Sequence, residues 1–214
     1  VDGDPKLARL LEHPAIWRGR SAAQFATLRS GYTALDEYLP GGGWPRSGLT
    51  EILVARFGSG ELQLLLPTLA ALTRAPSARW CVWVAPPLMP FAPALVSQGV
   101  VLERVAVVGG ARPLWAFEQV LGSGACDAAL GWCRNPQPRD LRRLQLAAER
   151  GRTLGVLFRP RRAAREPSGA VLRLTLVPAA SGVRITLLKG RGLRRGTLEL
   201  NAAAGWPLKP PEPQ

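Results

Sequence analysis

The chain has 214 residues, 47% of them hydrophobic, which suits one domain with a real core and excludes a disordered polypeptide. No apolar run reaches the roughly 20 residues that span a bilayer; the longest, from Leu62 to Leu72, is broken by Gln63, Pro67 and Thr68. The formal net charge is +13, and residues 134–195 carry all of it, with 16 Lys and Arg against Asp140, Glu149 and Glu166. A GC-rich genome explains why Arg outnumbers Lys 25 to 3 but not the shortage of acids in one segment, so a polyanion or an acidic partner is expected there. Cys81, Cys126 and Cys133 are too scattered for a disulfide framework. With the single His13 they do not form a four-ligand zinc site, and they read as buried thiols in a reducing cytoplasm. The first residues are polar or charged, unlike a secretory signal, and the sequence starts at Val1 rather than at Met.

In chain order, Pro5 to Glu12 reads as a short helix stopped by Pro14, with His13 a helix-end residue. Residues 19–48 form a loop-rich lead-in containing Leu35-Asp36 and the run Pro40-Gly41-Gly42-Gly43-Trp44-Pro45. Apolar strand candidates then follow at Leu49–Ala55, Trp80–Ala85, Val105–Val108, Ala128–Cys133 and Thr153–Phe158. Between them lie helical stripes: Leu62, Leu65, Leu66, Leu69 and Leu72; Leu114, Phe117 and Leu121 after Pro113; and Leu141, Leu144 and Ala148. A weaker helix over Phe91–Gln98 contains Pro93. This alternation predicts an α/β fold with a mostly parallel twisted sheet and helices on both faces. Val171–Val177 and Val183–Leu188 leave no room for a helix between them and predict a C-terminal antiparallel hairpin. Three regions result: 1–48 with the N-terminal helix and lead-in, 49–195 as the core, and 196–214 as a Pro-rich tail.

The stretch Arg56-Phe57-Gly58-Ser59-Gly60 joins a strand to a Leu-rich helix, which is the frame of a phosphate-binding loop. Where that chemistry needs Gly-Lys-Thr, the chain has Gly60-Glu61-Leu62. Glu61 suits a helix N-terminus but repels a triphosphate and fills its anion hole, and Leu62 cannot ligate Mg²⁺. Gly58, Ser59, Gly60 and Glu61 are therefore read as a degenerate P-loop. Ser59 has no histidine partner to make it a nucleophile. No acid follows Trp83-Val84-Ala85, and Ala128 to Cys133 ends without one; Asp127 lies at the opposite end of its strand. No catalytic residue, metal or cofactor is expected.

The run Leu35-Asp36, Leu39 to Pro45, Gly48-Leu49-Thr50-Glu51-Ile52 and Gly58-Ser59-Gly60 resembles the start of the ATPase core of RecA recombinases. More closely, it resembles the ImuA family of translesion-synthesis accessory proteins. So do His13 to Gly19, Gly60 to Pro67, Leu141 to Glu149 and Val156 to Pro160, and the likeness covers about residues 7–195. The resemblance implies a RecA-like P-loop-type core and a non-catalytic scaffold in damage-induced, error-prone synthesis within the SOS response. It implies an ImuB-like polymerase homologue as partner, with RecA and non-specific DNA as further contacts and no membrane. Two alternatives stand beside it. One is a division inhibitor of the SulA type, which also looks RecA-like without a P-loop and targets a tubulin-like protein. The other is a nucleotide-dependent DNA enzyme, disfavoured by Gly60-Glu61-Leu62.

The candidate surface for DNA or a partner is Arg139 and Arg143 on one helix side, Arg159, Arg161, Arg162 and Arg165 in a Gly- and Pro-containing loop, and Arg191, Arg194 and Arg195 beyond the hairpin. A solvated basic surface is the competing reading. That loop has no aromatic residue for base stacking. Trp80, Trp83 and Trp132 are expected in the core. Trp17 and Trp44, beside arginines, are either partner anchors or packing for the lead-in.

Overall fold

The computed structural model describes residues 26–58, 60–190 and 196–201. The expected helix at Pro5–Glu12, with Trp17, Ser59, Arg191, Arg194, Arg195 and most of the tail, lies outside the described residues. A short pair, β1 (Thr27–Leu28) and β2 (Trp44–Pro45), flanks helix α1 (Thr33–Tyr38). Then come β3 (Gly48–Val54), α2 (Leu66–Arg74), β4 (Trp80–Val84), α3 (Ala92–Ser97) and β5 (Val105–Val108). After these follow α4 (Pro113–Gly122), β6 (Cys126–Trp132), α5 (Pro138–Gly151) and β7 (Leu154–Pro160). The chain closes with β8 (Leu172–Ala179), β9 (Gly182–Lys189) and β10 (Thr197–Asn201).

Eight strands form one mixed sheet in the order β10-β9-β8-β3-β7-β6-β4-β5. From β8 to β5 all neighbours are parallel, whereas β8, β9 and β10 run antiparallel. Strands β3, β6 and β7 are buried along their whole length, which is why they read as continuous apolar runs. Their side chains alternate between two cores. Ile52, Trp83, Val156 and Phe158 join Leu35, Trp44 and Leu69 on one face. Leu49, Val82, Val84 and Leu157 meet Phe117, Leu121, Leu141 and Leu144 of α4 and α5 on the other. Helix α5 starts cleanly because Pro138 occupies its first turn and the Gln137 N–H donates to the Asp140 carboxylate at 2.9 Å. Gly151 is required where α5 meets α4: a Cβ there would stand 1.9 Å from the Leu121 carbonyl oxygen.

The structure corrects several expectations. From residue 26 on, the lead-in is structured: α1 forms within it, and Asp36 is buried, accepting the Ser30 N–H at 2.8 Å. Residues assigned to the tail supply β10, whose Leu198 and Leu200 alternate with polar neighbours opposite β9. Trp80 is 43% exposed at the amino end of β4, where the register with β6 slips. The expected P-loop-type core is also replaced. A phosphate loop hands over directly to a helix whose first N–H groups face the ligand. Here Gly60, at φ 94°, leads into a 3-10 turn over Glu61–Leu64, and α2 begins only at Leu66, with Pro67 lacking an N–H.

Candidate partner-docking face

The parallel strands deliver their following loops to one end of the sheet, their carboxyl end. Glu61 lies beneath them, almost wholly buried. Its Oε1 accepts the Gly58 N–H at 2.8 Å and the Trp132 indole N–H at 3.3 Å. Trp132 ends β6 and stacks on Phe158 at 4.9 Å.

Beside this turn, Ala85 takes a left-handed conformation (φ 51°) while its N–H stays bonded to the Val108 carbonyl at 2.8 Å. The chain turns out of the sheet there and presents Pro86 to Phe91. Leu88, Met89 and Phe91 are 70, 79 and 71% exposed, an unusual position for three large apolar side chains in a row. With Gly60, Gln63 and Trp132 this loop borders a recess of about 230 Å³.

The arginines divide sharply. Arg159 is buried and pairs with Glu51 (2.7 Å) and Glu166 (2.5 Å), so it belongs to the core and not to a contact surface. Arg173, also buried, reaches the second Glu51 oxygen at 2.5 Å and donates to the carbonyls of Ala163 and Glu166 at 2.8 and 3.0 Å. This network fastens the segment Arg161–Arg165, expected as a loop, as a 3-10 turn against the sheet. Arg161, Arg162 and Arg165 point outward from it, and Arg162 donates to Asn135 Oδ1 at 2.8 Å. Arg139 is exposed at the start of α5; Arg143 is exposed but held by Glu118 at 2.6 Å. Trp44 is fully buried under β1, so it packs the lead-in and anchors no partner.

Sequence reasoning missed Leu88, Met89, Phe91 and Arg134. The signal was present as three large apolar residues among Pro86, Pro87, Pro90 and Pro93, a run too proline-rich to lie in a sheet.

The far end of the sheet is built differently, around Asp127 and Arg79. Arg79 donates through its backbone N–H (2.8 Å) and Nε (3.1 Å) to Asp127, and caps the carbonyls of Gly124 and Arg152 at 2.7 and 3.0 Å. Burial pushes the Cys81 thiol nearby up to about 12, with Asp127 adding to the shift, and burial also raises Cys126 and Cys133.

These features define an α/β domain whose strand-to-helix turn is held by its own carboxylate and whose carboxyl edge exposes an apolar loop and several arginines. No family model matches the chain. The cell division inhibitor SulA of Edwardsiella piscicida is 32% identical over 119 residues, covering 54% of this chain and 70% of that protein. SulA of Photorhabdus laumondii is 32% identical over 103 residues, covering 47% and 58%. SulA of Yersinia pestis is 33% identical over 101 residues, covering 46% and 59%. The chain therefore spans just under three fifths of the Photorhabdus and Yersinia proteins. The solved SulA of Pseudomonas aeruginosa superposes with a TM-score of 0.44 at 23% identity, over 52% of this chain and 97% of that one. The chain belongs to the SulA cell division inhibitor family.

That assignment corrects the ImuA resemblance and what followed from it: the translesion scaffold, the ImuB-like polymerase homologue, RecA and DNA as partners. The Gly-rich lead-in and the strand–turn frame are compatible with both families, and the alignment over 119 residues decides between them. The relatives are named as inhibitors and not as enzymes. Among the described residues, no helix is long and apolar enough to cross a membrane.

Proposed function

We propose that this chain is a non-catalytic inhibitor of cell division, acting in the cytoplasm during the SOS response by docking onto a tubulin-like division protein. Membership of the SulA family supports the reading, and one structural observation carries it: Leu88, Met89 and Phe91 stand exposed on a short loop at the carboxyl end of the sheet. A monomer gains nothing by leaving such a patch in water, whereas a docking surface gains about 25 cal/mol per Å² of apolar area covered.

The test is a sedimentation assay of GTP-dependent polymers of the tubulin-like protein. Adding an equimolar amount of this chain is expected to move the protein from pellet to supernatant, and its expression in cells to produce filaments that do not divide. Polymers unaffected by a several-fold molar excess of the chain would overturn the reading.

A further inference from the structure

We propose that the carboxyl end of the sheet is a two-part recognition surface for an acidic protein segment. The prong Leu88, Met89 and Phe91 enters an apolar recess of the partner, while Arg134, Arg161, Arg162 and Arg165 pair with carboxylates at its rim. This deepens the division-inhibitor reading and rests on it.

The two parts are contiguous. Leu88 Cδ1 lies over the turn, 3.2 Å from where a Cβ on Gly58 would stand. The neighbouring Phe57 ring carries the Arg134 guanidinium at 5.1 Å, and Asn135, next in the chain, accepts from Arg162 at 2.8 Å. One path of contacts therefore runs from the prong to the basic turn.

The charge on this surface is one-sided. Arg134, Arg161, Arg162 and Arg165 are exposed and make no ion pair with any described residue. The nearby acids are already engaged: Glu61 lies beneath the turn, and Glu166 holds Arg159. Elsewhere in the molecule, Arg79, Arg143 and Arg184 each have a carboxylate partner within 3.1 Å. Exposed cations without an ion pair, grouped around an apolar prong, are the complement of an apolar recess ringed by Asp and Glu.

The basic turn is also held ready. Arg173 grips the Ala163 and Glu166 carbonyls, and Glu51 fixes both buried guanidiniums. A turn already ordered loses less conformational freedom on binding than a free loop. Planar guanidiniums then take carboxylates in two-point pairing. Two of the three prong side chains favour protein over nucleic acid. Leu88 and Met89 have no ring to stack on a base, and an adaptable Met suits a protein recess.

The experiment measures affinity of the intact chain for the purified tubulin-like protein by calorimetry, across a salt series. The Leu88→Ser/Met89→Ser/Phe91→Ser variant is expected to bind at least about thirtyfold more weakly, as loss of a hot-spot cluster does, and to keep its salt dependence. The Arg134→Glu/Arg161→Glu/Arg162→Glu/Arg165→Glu variant is expected to lose about a hundredfold or more and its salt dependence with it. The matching Lys set restores part of the affinity, because it returns charge without the planar fork. All substituted side chains are exposed, so circular dichroism should show an unchanged fold. If the intact chain does not bind the tubulin-like protein, the proposed function falls and this surface with it. If it binds and either Ser or Glu set stays within about twofold of it, the surface assignment alone falls. Displacement of the partner by an equal concentration of duplex DNA overturns the choice of protein over nucleic acid.

Discussion

The two ends of the sheet follow opposite rules. At the amino end, charge is consumed locally: Asp127 takes Arg79 and Arg46, and Arg79 ties the end of α5 to the loop before β6. At the carboxyl end, Glu51 pairs with the buried Arg159 and Arg173, and above them Leu88, Met89, Phe91 and four arginines are exposed. The same residue type, arginine, is structural where it meets a carboxylate, as Arg79, Arg159 and Arg173 do, and available for contact where it does not, as Arg161 and Arg165 show. What separates the two roles is whether a carboxylate lies within reach, and the number of arginines says nothing about it.

The largest expected effect tests the buried layer. Glu51→Gln leaves Arg159 and Arg173 without their shared countercharge and should cost about 3–5 kcal/mol, read as a lower urea midpoint. A parent-like midpoint would mean that the network does not hold the basic turn. Next, Asp127→Ala removes the acceptor for the Arg79 backbone N–H and should cost about 1–3 kcal/mol in thermal unfolding. The ion-pair share is modest because Arg79 and Arg46 are partly exposed. Partner affinity should not change, since the lesion lies at the wrong end; a matching loss of binding would break the contrast.

A pH series sharpens it further. The folded pKa of Cys81 is raised from 9.0 to about 12, so the folded state keeps a proton that the unfolded chain releases. Its contribution is fully present below pH 9 and is lost as pH rises towards 12. Stability should fall by about 1 kcal/mol per such thiol between pH 8 and 10. Cys81→Ala should flatten that slope, whatever it does to the midpoint at neutral pH. The smallest effect belongs to Ala85→Gly. Glycine relieves the left-handed strain but frees the unfolded chain, for a net gain under about 1 kcal/mol. A loosened prong should then show as weaker partner binding, and unchanged binding would mean that Ala85 does not aim the loop.

Much of the fold was legible because a strand buried on both faces must be apolar throughout. That rule located β3, β4, β5, β6 and β7 to within two or three residues, and the short Pro178–Gly182 connection gave the hairpin. Strand β10 was hidden because its alternation, Thr197 to Asn201, is brief and sits between an Arg-rich run and prolines. The candidate site was less legible, for a physical reason. Charge patterns do not reveal burial, so Arg159, in mid-strand register with Leu53 of β3, looked like its exposed neighbours. Trp44 followed glycines in what reads as a loop, yet a two-residue bridge to Leu28 buries it. The family was misread because the motifs that carry the resemblance shape a turn and a strand, which many α/β chains share.

The hydrogen bond from Trp132 to Glu61 has an optical consequence. Trp44, Trp83 and Trp132 are shielded from solvent, whereas Trp80 and Trp115 are about half exposed. A collisional quencher such as acrylamide should therefore strip the emission of the last two first and leave a blue-shifted remainder. Among the described buried tryptophans, Trp132 donates to a carboxylate beneath the prong, so its excited state feels the field of whatever settles there. The molecule carries its own fluorescent gauge under the docking face, readable without a label, and Trp132→Phe should silence it while leaving the stack on Phe158 in place.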